Sequence, residues 1–199
     1  MDEVPALTIV VPARDEEENV GPLVGEVEAA LLSRGVALEL VVVDDGSRDG
    51  TSARLGALAA SRPWLRPLRL DAPSGKSAAL RAGILAARAE LVATMDADLQ
   101  DDPADLLPML ALLERGEADF VQGTRVRRAD GTLRGASAAV GRVARRIALG
   151  DATRDTGGGL RAVGTDDAVD GALADRDVKG ADGRQAAEAF GHLVCLKNR

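Results

Sequence analysis

The sequence predicts an α/β domain in which helices flank a mostly parallel sheet. Three observations carry that expectation. Short apolar runs recur at 6–11 (ALTIVV), 38–43 (LELVVV), 90–95 (ELVATM) and 118–123 (ADFVQG), with a weaker one at 65–70 (LRPLRL). Stretches with helical spacing separate them. Three of the runs end in polar, charged or glycine-bearing loops, at 12–19, 44–51 and 96–102. Near-continuous apolar runs suit strands buried on both faces, and their alternation with helices implies βαβ units.

The helical stretches each have a start or a stop. In 17–35 the apolar residues Val20, Leu23, Val24, Val27 and Leu31 fall on one face, and Gly35 ends the pattern. Asp49 or Thr51 can cap a helix in 49–61. A third helix is expected in 75–89. A fourth, in 102–116, has Pro103 in its first turn and Gly116 behind it. In a parallel sheet the three polar loops lie at one edge, the edge where ligands bind.

A chain of 199 residues suits one such domain with a short appendage. Its 46% apolar content is enough to fill a core. Two Phe, one Trp and no Tyr leave little for stacking on single-stranded nucleic acid, and a net charge of −7 disfavours polyanions in general, so no nucleic-acid partner is expected. Charge is uneven, however: residues 122–154 hold eight Arg against two Asp. A basic segment in an acidic protein suits phosphates or an anionic membrane surface, or simply a solvated Arg-rich helix. Cys195 is the only cysteine, which fits a reducing compartment and excludes a cysteine-based zinc site. Neither a signal peptide nor an apolar run of about 20 residues is apparent, so any membrane contact is expected to be peripheral.

The densest chemistry lies in TMDADLQDDP, 94–103, with Asp96, Asp98, Asp101 and Asp102 inside seven residues. Carboxylates so close repel unless a cation or proton intervenes. In an extended segment residues two apart point the same way, so Asp96 and Asp98 can face one ion, with Gln100 adding a neutral oxygen. Mg2+ or Mn2+ suits such ligands and keeps positions for substrate phosphate. Asp101 and Asp102 are read as acids at the N-terminus of the next helix. For Asp96 and Asp98 the residues alone leave both a metal role and a capping loop open. Asp44 and Asp45, followed by Gly46 and Gly50, suit either a ribose or base contact or a glycine-rich turn with capping acids. The stretch PSGKS, 73–77, lacks the first glycine of a phosphate loop, because that position is Leu70.

Taken together, 8–20 (TIVVPARDEEENV), 41–51 (VVVDDGSRDGT), 74–83 (SGKSAALRAG), 93–103 (ATMDADLQDDP), 123–128 (GTRVRR) and 154–162 (RDTGGGLRA) resemble a family 2 glycosyltransferase of the Rossmann-like GT-A fold. The resemblance is closest to the dolichyl-phosphate mannose synthase and bacterial polyprenyl-phosphate glycosyltransferase group. It implies that Pro12, Ala13, Arg14 and Glu16 line a nucleotide pocket, that Asp44 or Asp45 contacts base or ribose, and that Gly75 and Lys76 lie near the nucleotide or its phosphates. Asp96, Asp98 and Gln100 would hold Mg2+ or Mn2+ on the diphosphate of a nucleotide sugar such as GDP-mannose or a UDP-sugar. Arg125 would bind a donor or acceptor phosphate. Arg134 and Ser137 would meet the phosphate of a polyprenyl acceptor (dolichyl or undecaprenyl).

The implied reaction is metal-dependent and inverts the anomeric carbon. A phosphate monoester, with a second pKa near ~6, is largely dianionic at neutral pH and needs no general base. That suits a chain whose only histidine, His192, lies far from every motif. In 133–150, Leu133, Ala136, Val140, Val143 and Ile147 fall at helical spacing beside Arg142, Arg145 and Arg146. Such a helix suits the headgroup region of the inner membrane face, with the protein cytoplasmic and peripheral, or else an ordinary position on the sheet. Gly158 stands where the family usually has Cys or Ser. Residues 1–162 are expected to form the catalytic domain. Residues 163–199 match nothing in the family and read as an atypical polar tail, of the kind a truncated or frame-shifted gene leaves. A polysaccharide acceptor, or nucleotide-sugar binding without catalysis, are the competing expectations.

Overall fold

The computed structural model describes residues 4–123, 161–164 and 193–196. Strand β1 (Leu7–Ala13) leads to helix α1 (Val20–Ala30), a 3-10 turn (Leu32–Arg34) and β2 (Leu38–Asp44). Then come α2 (Thr51–Ala59), β3 (Leu65–Arg69), α3 (Lys76–Leu85) and β4 (Leu91–Thr94). A 3-10 turn (Pro103–Asp105) runs into α4 (Leu106–Glu114), followed by β5 (Phe120–Gly123), β6 (Arg161–Gly164) and β7 (Leu193–Leu196). The sheet order is β3-β2-β1-β4-β6-β5-β7. The first four strands are mutually parallel, β6 runs antiparallel to both β4 and β5, and β7 runs antiparallel to β5.

The strands expected in 6–123 and the four helices expected in 17–35, 49–61, 75–89 and 102–116 form, while the helix expected in 133–150 lies outside the described residues. β5 does not neighbour β4, because β6 lies between them. β6 occupies four residues around the point where the sequence pattern fades, and β7 lies wholly in the segment expected to be a tail. Two strands this short carry too little periodicity to stand out beside runs such as LELVVV. Within the sheet, Cys195 has Val121 as its register partner.

The central strands are buried on both sides. Ile9, Val11, Leu40 and Val42 pack with Leu23, Val24 and Val27 of α1, Leu55 of α2 and Met109 of α4. The alternate residues Val10, Val41, Val43 and Val92 pack under Ala79 and Ile84 of α3. The helices therefore divide between the faces. α3 sits close because it carries Gly83 above Val10 and Val43; a methyl group there would collide with the Val10 side chain.

A buried charge sits near the amino ends of these strands. Glu39, fully inaccessible, lies in register with Thr8. It accepts hydrogen bonds from the Thr8 hydroxyl at 2.7 Å, Arg66 Nη1 at 2.8 Å, and the backbone N and Nε of Arg88, both at 2.7 Å. The cluster ties β1, β2, β3 and the approach to β4 at the end opposite the polar loops. Burial pushes the Glu39 carboxyl upward, but hydrogen bonds from Arg66, Thr8 and Arg88 outweigh it, and the net direction is below the ordinary 4.5.

Glu39→Ala strands the Thr8 hydroxyl and the Arg88 N–H. It is expected to cost about 2–3 kcal/mol in denaturant unfolding at neutral pH. Because the folded pKa is depressed, the ionised Glu39 contributes in full above the ordinary glutamate value, and the contribution fades as pH falls through the lowered one. The gap between wild type and Glu39→Ala in unfolding titrations should therefore narrow on acidification below about 4.5.

Candidate active site

The polar loops converge at the carboxyl ends of β1, β2 and β4. They enclose an open cleft of about 310 Å3 lined by Pro12, Ala13, Arg14, Glu16, Asp45, Gly75, Lys76, Asp96, Ala97 and Asp98. All the residues expected in the site from the first three loops and the start of α3 line it, except Asp44 and Gln100. Ala97 was not anticipated; it lines the cleft because it lies between the two acids of the turn.

Asp45 is the anchor of the cleft floor. Its backbone N donates to Ala13 O at 2.9 Å, continuing the β1–β2 ladder by one step. Its carboxylate accepts the N–H groups of Ser74 at 2.6 Å and Gly75 at 2.9 Å. The chain can come this close only because residue 46 is glycine. Gly46 has φ of 66°, and a methyl on it would lie 2.7 Å from Pro73 N and 2.9 Å from Ala72 C. Asp44 is turned to a different task. Its Oδ2 pairs with Arg69 Nη1 at 2.6 Å and its Oδ1 accepts from Ser47 N at 2.8 Å, so it braces the loop rather than lining the cleft.

The loop carrying Arg14 and Glu16 is fastened to the loop after β2 by reciprocal bonds. Asp15 N donates to Ser47 Oγ at 2.9 Å, and Arg48 N returns a bond to Asp15 Oδ1 at 2.7 Å. Glu17 N donates to Asp49 Oδ2 at 3.2 Å, and Gly50 N donates to Glu17 Oε2 at 2.9 Å. Glu16 N donates to the Thr51 hydroxyl at 2.9 Å, which itself donates to Asp49 Oδ1 at 2.5 Å. That Thr51 hydroxyl bond holds the Asp49 carboxyl below its ordinary 3.8; desolvation opposes it, and the N–H groups of Thr51 and Glu17 add to it. Asp15 takes a left-handed φ of 56° within this clasp. Asp15, Ser47, Asp49 and Thr51 were not singled out as site-building residues. A single sequence offers no signal for pairs 32 to 35 positions apart.

At the acidic turn, Met95 N still donates to Val10 O at 3.1 Å, but the strand ends there. The chain turns at 97–98, and Leu99 is left-handed with φ of 59°. The two-residue alternation that put Gln100 beside Asp96 and Asp98 is thereby broken. Gln100 lines a separate hollow, with Glu26 and Arg34 among its other walls, and its N–H donates to Asp98 Oδ1 at 3.2 Å. Asp96 and Asp98 remain together in the cleft. Asp102 caps the following turn through Ala104 N at 2.9 Å, as expected, while Asp101 Oδ2 accepts from Asp96 N at 3.4 Å.

Asp96 Oδ1 also pairs with Lys76 Nζ at 2.6 Å. Among the described residues no group of three or more His, Cys, Asp or Glu is placed to hold a metal ion. Two carboxylates on an open cleft still fit a hard cation that completes its shell with phosphate and water, as Mg2+ and Mn2+ do. Arg14 and Lys76 supply positive charge in the same cleft, and α3 opens toward it with its positive end. Arg125, Arg134, Ser137 and the basic segment 133–150 lie outside the described residues.

The domain shares the GT-A fold of solved glycosyltransferases. A mannosyltransferase from Pyrobaculum calidifontis, in complex with GDP-Man and Mn2+, superposes with a TM-score of 0.59 at 26% identity, covering 82% of this chain and 45% of that one. The profile of glycosyl transferase family 2 matches residues 8–162, and the chain belongs to that family. Over 126 residues it is 45% identical to the dodecaprenyl-phosphate galacturonate synthase of Rhizobium johnstonii, covering 63% of this chain and 37% of that protein. Over 158 residues it is 36% identical to the undecaprenyl-phosphate 4-deoxy-4-formamido-L-arabinose transferase of Pseudomonas aeruginosa, covering 78% and 46%. The chain thus spans less than half the length of these curated relatives.

Asp45→Ala removes the acceptor for two amides. Hydrogen exchange at Ser74 and Gly75 should quicken by roughly tenfold or more, given about 1.5–3 kcal/mol for a hydrogen bond to a charged group. Gly46→Ala should produce the same local loosening by pushing 72–73 outward, together with a fall of more than about 1 kcal/mol in unfolding free energy.

Proposed function

We propose that the chain is the donor-binding and catalytic portion of a metal-dependent, inverting glycosyltransferase. It moves mannose or another hexose from a nucleotide diphosphate to a polyprenyl phosphate. The observation that carries this reading is the meeting of Asp96, Asp98, Lys76, Arg14 and Asp45 in one cleft at the carboxyl edge of a parallel sheet. Relatives whose names contain dodecaprenyl phosphate and undecaprenyl phosphate support the acceptor class. The GDP-Man and Mn2+ complex of the structural neighbour supports the donor class and the cation.

Each residue has a role in that reaction. Pro12, Ala13, Arg14, Glu16 and Asp45 receive the nucleoside, and Lys76 and the start of α3 meet its phosphates. Asp96 and Asp98 hold Mg2+ or Mn2+, which supplies charge neutralisation to the leaving diphosphate. Arg125 adds a donor or acceptor phosphate contact, and Arg134 and Ser137 orient the acceptor phosphate. An acceptor phosphate oxygen forms the new bond to the anomeric carbon as the bond to the nucleotide diphosphate breaks. That oxygen is already anionic at neutral pH, so no side chain has to take a proton. The basic segment 133–150 brings the protein to the inner membrane face, where the acceptor resides. No described helix is long and apolar enough to cross a membrane.

A calorimetric screen of GDP- and UDP-sugars, with and without Mn2+, tests the donor half; turnover with a polyprenyl phosphate tests the acceptor half. Donor binding that requires Mn2+ is expected, followed by transfer. Asp98→Ala should lower Mn2+-dependent donor affinity at least tenfold, at the lower end of what ligand-shell changes typically cost, with its unfolding transition unchanged. Unaltered Mn2+-dependent affinity in that variant would remove Asp98 from the ligand set.

A further inference from the structure

The ion pair between Lys76 and Asp96 has a consequence for the order of binding. It rests on the proposed function above. Asp96 is about one-fifth exposed, and its Oδ1 is engaged by the ammonium at 2.6 Å; the lysine side chain is more than half exposed. Asp98, two residues on and in the same cleft, adds like charge to that site. Lys76 therefore neutralises the acidic turn from across the cleft, where a divalent cation would otherwise do so.

We propose that Lys76 is the resident counter-ion of Asp96 and couples metal binding to donor binding. While Lys76 holds Asp96, a metal ion must compete with an ammonium for one of its two carboxylates. Gln100, turned away at the left-handed Leu99, offers no third side-chain oxygen to offset that competition. A nucleotide diphosphate entering the cleft gives Lys76 a stronger anionic partner. The flexible four-carbon stem lets the ammonium follow the diphosphate, which exposes Asp96 to the metal. Linkage makes the effect reciprocal: metal binding sends Lys76 toward the diphosphate and tightens the donor. Lys76 is in this account a positioning residue for the metal ligand, in addition to its phosphate contact.

The test is a Mn2+ titration, read as free Mn2+ by electron paramagnetic resonance, on wild type, K76M and K76R, without nucleotide and with GDP or UDP. Without nucleotide, K76M should bind Mn2+ roughly fivefold more tightly than wild type, the upper range of a partly exposed ion pair. K76R, which keeps the pair, should resemble wild type. The gain in Mn2+ affinity on adding nucleotide should shrink in K76M. Placing K76M on a D96N background should abolish the difference, since the coupling runs through that carboxylate. Equal Mn2+ affinity of wild type and K76M without nucleotide, with the same nucleotide-induced gain in both, overturns the coupling and leaves the proposed function standing. Absence of any nucleotide-dependent Mn2+ binding in both proteins overturns the two together.

Discussion

The arrangement depends on a constraint of parallel sheets. β1, β2 and β4 run the same way and are covered on both faces, so their connecting loops leave at one edge, where backbone polar groups lose the ladder. Those groups must be satisfied by neighbouring loops. The Ser74 and Gly75 amides donating to Asp45, and the bonds that link Asp15, Glu16 and Glu17 with Ser47, Thr51, Asp49 and Gly50, do this. In satisfying those groups the loops form the walls of the cleft. Fold and site are thus one solution to one hydrogen-bonding problem.

Glu39 at one end of the sheet and the acidic turn at the other handle charge differently. At the amino edge, Glu39 is surrounded by Thr8, Arg66 and Arg88, and its hydrogen-bonding capacity is spent inside the protein. At the carboxyl edge Asp96 and Asp98 keep access to the cleft, balanced by an exposed lysine that can move. The first arrangement fixes strands; the second is open to exchange. That contrast is the physical reason for placing chemistry at one edge and stability at the other.

Much of this was legible in the sequence because the informative signals were local. LELVVV announces a strand buried on both faces, and β2 is buried along its whole length. The acids of TMDADLQDDP declare themselves by mutual repulsion. What escaped was non-local or conformational. Nothing near Asp44 says that Arg69 takes it away from the cleft while Asp45 stays in it. A single left-handed residue, Leu99, redirects Gln100, and leucine is not a residue from which such a turn is read. β6 and β7 are four-residue strands whose partners lie far along the chain, so pairing rather than pattern defines them. Ala97 entered the cleft lining only by lying between two acids.

The central claim is that Asp96 and Asp98 join a divalent cation to the diphosphate of a bound nucleotide. Electron-nuclear double resonance of Mn2+ bound with GDP or UDP tests it most directly, because it reports phosphorus nuclei in contact with the metal. The account predicts phosphorus couplings in the protein-bound complex, and loss of that bound species when both aspartates are replaced by asparagine. A Mn2+ signal with no phosphorus coupling, or one unchanged by the double replacement, would contradict it.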